Sequence, residues 1–169
     1  MQINKENLIR HELVHFYDSL SGDYIVSTGN VFEFSLNNQE FNFKIKSRNP
    51  FIKLRIFRRL LRLDKSNAFF NFQKTLVIVI YQGIIFSFSI KNKALKELSK
   101  LKQCRCVLHN SIAITKGCIV FGEYGRNSFR NDVPLWVSRD DGESFKVINE
   151  IKNIKPVSYT HLTLPTTLS

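Results

Sequence analysis

Short β-prone runs recur in groups of four along this chain, each group punctuated by turn residues and repeated at a spacing of about fifty residues. In the first group the runs are Leu13–Tyr17, Tyr24–Thr28, Val31–Leu36 and Phe41–Lys46. Thr28-Gly29-Asn30 separates two of them, and Leu36-Asn37-Asn38-Gln39 opens the next reversal. Asn and Gly tolerate the positive φ that tight hairpin turns demand, so these positions read as β-hairpin connections.

The second group comprises Ala68–Phe72, Thr75–Tyr81, Ile84–Ile90 and Leu95–Leu101, with Gln82-Gly83 and Lys91-Asn92-Lys93 as turns. Leu95–Leu101 reads equally as a short helix, because its Ala, Leu, Lys and Glu content favours helix. The third group holds Ser111–Thr115, Cys118–Tyr124, Pro134–Ser138 and Ser144–Ile148, with turns at Lys116-Gly117 and Asp140-Asp141-Gly142. Four strands per unit, repeated at this length, is the count of a β-propeller blade. The expected fold is therefore all-β: part of a propeller, with about three four-stranded antiparallel blades spanning 11–47, 67–102 and 104–151.

Between the first two units lies Phe51-Ile52-Lys53-Leu54-Arg55-Ile56-Phe57-Arg58-Arg59-Leu60-Leu61-Arg62-Leu63. Ile56, Phe57, Leu60 and Leu61 recur at helical spacing, and Arg55, Arg58, Arg59 and Arg62 take the opposite side. This predicts one short amphipathic helix between blades, packed on the sheets with its arginines in water. A basic amphipathic helix of this kind also suits an anionic membrane, nucleic acid or glycan.

The formal net charge is +11, and none of it comes from the last thirteen residues, which contain no Lys, Arg, Asp or Glu. A basic balance admits anionic partners, nucleic acid included, without favouring any one of them. It also matches the joint excess of Lys, Asn, Ile and Phe that an AT-rich gene produces. The three cysteines, Cys104, Cys106 and Cys118, fit neither a disulfide framework nor a zinc pattern, and read as reduced strand residues. The start of the chain lacks the apolar core of a signal peptide, and no apolar run is long enough to span a bilayer. A cytoplasmic location without a membrane span is the expectation. Walker, Gly-x-Gly-x-x-Gly and Ser-elbow patterns do not occur, so no cofactor is expected.

Ser138-Arg139-Asp140-Asp141-Gly142-Glu143-Ser144-Phe145 matches the Asp-box pattern, Ser/Thr-x-Asp-x-Gly-x-Ser/Thr-Trp/Phe. Asp140 can accept from backbone N–H groups of its own turn, and Gly142 can take positive φ. Phe145 can bury its ring under the turn, while Ser138 and Ser144 satisfy nearby polar groups. Together with Ile119-Val120-Phe121-Gly122-Glu123-Tyr124-Gly125-Arg126-Asn127, Arg130 and Val133, this stretch resembles the sialidase-superfamily (BNR-repeat) propellers. The resemblance covers roughly Cys104 to Ile151. It implies a glycan-processing or glycan-binding propeller with carbohydrate as partner, the Asp-box being a rim device. Glu123 and Arg130 are then the candidate catalytic residues, the alternative for them being a buried structural ion pair. The Arg-Ile-Pro segment of true sialidases has no counterpart, which leaves hydrolysis itself open. A non-enzymatic propeller scaffold for protein or an anionic polymer is the second reading.

His11-Glu12-Leu13-Val14-His15 spells His-Glu-x-x-His. On a helix both imidazoles would share one face and bind zinc, with Glu12 activating a metal-bound water. Ile9, Leu13, Phe16, Tyr17 and Leu20 have the spacing of such a helix. A zinc metalloprotease is the third reading, with Asp18 the first candidate for a third ligand, although no metzincin-type His follows at the expected spacing.

Val157-Ser158-Tyr159-Thr160-His161-Leu162-Thr163-Leu164-Pro165-Thr166 reads as the translation of a transposase-type sequencing-library adapter. Residues 157–169 are accordingly expected to be a non-native, disordered tail, and Met1–Pro156 the N-terminal part of a longer protein.

Overall fold

The computed structural model describes residues 13–47, 54–60, 65–108, 111–123 and 133–151. Among these residues are twelve β-strands and one helix. Sheet 1 is formed by β1 (Leu13–Tyr17), β2 (Tyr24–Thr28), β3 (Val31–Leu36) and β4 (Gln39–Lys44). The helix α1 (Arg55–Leu60) precedes sheet 2. Sheet 2 comprises β5 (Ser66–Phe70), β6 (Leu76–Tyr81), β7 (Ile84–Ser89) and β8 (Ala94–Lys100). Sheet 3 comprises β9 (Ile112–Thr115), β10 (Cys118–Gly122), β11 (Val133–Ser138) and β12 (Lys146–Ile151). Each is an antiparallel meander whose neighbours in sequence are neighbours in the sheet.

Hairpin chemistry sets these registers. Asn37 and Asn38 both take positive φ (52° and 62°) and join Leu36 directly to Gln39. Gln82 and Gly83 do the same between Tyr81 and Ile84, with φ of 50° and 80°. Positive φ at both central residues is the type I′ condition, whose twist suits a two-residue hairpin. The Gly83 hairpin tip is also gripped by the following loop, since its N–H donates to Arg105 O and its carbonyl accepts from Leu101 N, both at 2.7 Å.

The sheets stack through two apolar layers, and β6 shows how. All six of its residues are buried. Side chains alternate across a strand, so Val77, Val79 and Tyr81 enter one layer and Leu76, Ile78 and Ile80 enter the other. The first layer joins them to Ile25, Phe32, Phe34 and Phe43 of sheet 1. Phe43 stacks on Phe88 with ring centroids 4.4 Å apart, and Phe34 meets Phe70 edge to face. The second layer joins sheet 2 to Ile119, Phe121, Trp136 and Phe145 of sheet 3. Sheet 2 is thus apolar on both faces, which explains the continuous Leu-Val-Ile-Val-Ile-Tyr run of β6. The outward side of sheet 1 carries Glu33, Glu40, Asn42 and Lys44 instead, none of them buried.

The all-β texture and four strands per unit are seen, but the propeller is not. Among the described residues the three sheets remain separate and close into neither ring nor barrel. This removes the architecture on which the sialidase-superfamily resemblance rested. Leu95–Leu101, open to either reading, is the edge strand β8. Pairing with β7 overrides its helical composition, and its exposed Lys96, Glu97 and Lys100 blunt the open edge.

Within the described residues the inter-unit helix covers Arg55–Leu60 and is not packed as expected. Ile56 and Leu60 are 79% and 73% exposed, and Leu54 and Phe57 are exposed as well. Among the described residues no helix is long and apolar enough to cross a membrane. Residues 157–169 lie outside the described residues.

Candidate functional site

The acidic residues that look most available for chemistry are engaged in holding loops. Glu123 follows β10 and is 3% exposed. Its Oε1 accepts from Lys102 N at 2.8 Å and from the Trp136 indole N–H at 2.7 Å. Its Oε2 accepts from Gln103 N at 2.5 Å and Cys104 N at 3.1 Å. The carboxyl group therefore gathers three successive backbone N–H groups of the segment leading from sheet 2 to sheet 3. Such N–H groups are costly to bury unpaired, and a carboxylate with two acceptor oxygens is well suited to satisfy them. Arg130, its predicted companion, lies outside the described residues.

The Ser138–Phe145 segment forms the turn between β11 and β12. Asp140 Oδ1 accepts from Ser138 Oγ at 2.7 Å and Ser144 N at 2.9 Å, while Oδ2 accepts from Ser144 Oγ at 2.6 Å. Ser138 Oγ in turn accepts from Gly142 N at 2.8 Å. Burial raises the Asp140 pKa, but the donors from Ser144 and Ser138 outweigh it, leaving the carboxyl below its ordinary value. Gly142 has φ 99°, and a Cβ there would lie 2.8 Å from Ile78 Cδ1 of sheet 2. Phe145 is buried and packs 5.5 Å from Phe121 by ring centroids.

Asp141, beside Asp140, was not singled out from the sequence. It is buried, has φ 54°, and faces sheet 2 rather than its own turn. Its Oδ1 accepts from Phe72 N at 2.9 Å, and Oδ2 from Asn71 Nδ2 at 2.8 Å and Gln73 N at 3.2 Å. Asn71 also caps its own turn, its Oδ1 accepting from Thr75 N and Leu76 N, both at 2.8 Å. The Asp140-Asp141 doublet thus divides its work: one carboxyl holds the turn and the other holds the adjacent sheet.

Asp23 plays the same part between sheets 1 and 2. It is 1% exposed, and its oxygens accept from Asn37 N at 3.0 Å and from Lys74 Nζ at 2.6 Å. Burial pushes its pKa up, but the Lys74 ammonium and the Asn37 and Ser21 donors more than reverse this, so it lies below the ordinary value. Lys74 sits in the β5–β6 turn, beside the residues that Asp141 holds from the other side.

Among the described residues nothing forms the zinc constellation. Leu13–Tyr17 is a strand, so the helical turn that His-Glu-x-x-His needs is absent there. His15 sits where the β1–β2 register shifts, and its ring turns inward to stack on Phe32 at 5.9 Å. His15 Nε2 lies 2.8 Å from Ser27 Oγ and 3.4 Å from Ser66 Oγ, bridging sheets 1 and 2. His11 and Glu12 lie outside the described residues. Among the described residues no three His, Cys, Asp or Glu side chains are grouped to hold a metal.

The cysteines are free thiols, and burial pushes the Cys106 thiol up, away from the reactive thiolate. A shallow depression on sheet 3 is bordered by Val137, Arg139, Asp140, Ser144, Lys146 and Ile148. No protein-family model matches the chain, and no curated protein is significantly similar to it.

Proposed function

We propose that this chain is a non-catalytic scaffold: a rigid stack of β-sheets that carries surface segments and performs no reaction of its own. The glycan-processing and metalloprotease readings are set aside because, among the described residues, the sheets do not close and no metal-holding cluster is found. One observation carries the scaffold reading. The buried acids Asp23, Glu123 and Asp141 each accept from main-chain N–H groups of another chain segment, and two of them link neighbouring sheets, Asp23 through the Lys74 ammonium and Asp141 through Phe72 N and Gln73 N. A general acid or base must reach a substrate proton, whereas these carboxyl oxygens already accept from the protein itself.

The test compares stability with function at one residue. Glu123→Gln keeps the shape of the side chain but replaces an acceptor oxygen with a donor amide facing N–H groups. Thermal and urea unfolding should show a loss of about 1–3 kcal/mol, the cost of leaving buried donors unsatisfied. An unchanged unfolding midpoint would contradict the scaffold role of this carboxyl.

A further inference from the structure

We propose that the segment around α1 docks on an anionic lipid surface. This stands on a different observation from the scaffold reading and does not depend on it. Four large apolar side chains, Leu54, Ile56, Phe57 and Leu60, are exposed together within seven residues, at 54%, 79%, 42% and 73%. Soluble proteins seldom leave such side chains together in water without a use for them. The helix that carries the last three spans Arg55–Leu60, just after Leu54, and has no acidic residue in its first turn.

Charge selects the occupant. From Phe51 to Leu63 the chain contains Lys53, Arg55, Arg58, Arg59 and Arg62 and no Asp or Glu. Within α1, Arg55, Arg58 and Arg59 fall at positions i, i+3 and i+4, while Ile56, Phe57 and Leu60 fall between them, the pattern of an interfacial amphipathic helix. A phosphate-bearing surface with an apolar interior satisfies both sets at once: guanidinium groups meet lipid phosphate, and the aliphatic groups enter the acyl boundary. Nucleic acid would satisfy only the arginines. Its usual apolar contacts are made by aromatic stacking, and Ile56 and Leu60, the most exposed of the four, offer none. The net charge of +11 adds long-range attraction to any anionic membrane.

The experiment is co-sedimentation of the full chain with vesicles of phosphatidylcholine alone and of phosphatidylcholine mixed with phosphatidylserine. Binding is expected to the mixed vesicles and not to the neutral ones, weakening as salt is raised. The double variants Ile56→Ser/Leu60→Ser and Arg58→Gln/Arg59→Gln should each lower vesicle affinity by roughly tenfold or more. The aliphatic pair projects into solvent, so its far-ultraviolet circular dichroism and unfolding midpoint should match the parent chain. Absence of binding to mixed vesicles, or equal binding to both kinds, would overturn the proposal. So would undiminished vesicle binding by Ile56→Ser/Leu60→Ser, since charge alone would then suffice. Binding to duplex DNA that only the arginine variant loses, with no vesicle binding, would assign the segment to nucleic acid instead.

Discussion

At the scale of single residues, Gly142 and the two aspartates before it do most to define the contact between sheets 2 and 3. Gly142 has φ 99° and sits against Ile78 and Ile119. Gly142→Ala adds a methyl group in a strained backbone region and drives it into a filled layer. A loss of about 2–3 kcal/mol is expected in urea unfolding. Retention of parental stability would mean that the turn is not seated on Ile78. Asp140 and Asp23 add a pH dependence. Both have folded pKa values below the ordinary 3.8, so the stability they contribute is present above the unfolded value and is lost as pH falls through the folded one. The unfolding temperature should therefore decline on acidification below about pH 4. Asp140→Asn should show a shallower decline over the same range, measured by thermal unfolding in a pH series. An identical acid profile in the variant would contradict the hydrogen-bonded geometry of the turn.

At the scale of elements, the hairpins were the most legible part of the sequence, and their chemistry is local. Asn37-Asn38 and Gln82-Gly83 announce tight reversals because few residues accept positive φ, and the strands on either side follow from alternation. Asn38 has φ 62°, so Asn38→Gly removes a conformational cost and should raise stability by a few tenths to about 1 kcal/mol. A lower unfolding midpoint for Asn38→Gly would argue against the type I′ turn. Composition misleads at β8, where long-range pairing with β7 decides the outcome. It misleads at β1 in a different way: His-Glu-x-x-His is meaningful only on a helix, and Val14, Phe16 and Tyr17 suit a strand. The amphipathic spacing of residues 51–63 correctly located α1, but spacing cannot say whether an apolar side is covered. The exposed Ile56 and Leu60 are where that question is answered.

At the scale of the whole molecule, the count of four strands per unit was readable but the arrangement of the units was not. A ring and an open stack draw on the same alternating strands, and they differ in whether the outermost sheets meet. Contacts that set the stacking lie far apart in the chain. Asp141 reaches Asn71, Lys74 reaches Asp23, and the Asn67 side chain accepts from Val107 N at 2.9 Å. Each joins residues about forty to seventy positions apart, a separation at which composition carries no signal about partners. The candidate site suffered the same loss: Glu123 was visible as an acid near a strand end, but the loop that it holds was not. The six buried residues of β6 were the best available hint that one sheet would be covered on both faces.

That double coverage of sheet 2 is tested most directly by amide hydrogen exchange followed residue by residue. The stacked arrangement predicts the slowest exchange at β6 and β7, with protection approaching the global unfolding free energy, and earlier exchange at the outer strands β4, β8, β9 and β12. If β6 amides instead exchanged as readily as those of the outer strands, the middle sheet would not lie between two packed layers, and the scaffold built on it would be contradicted.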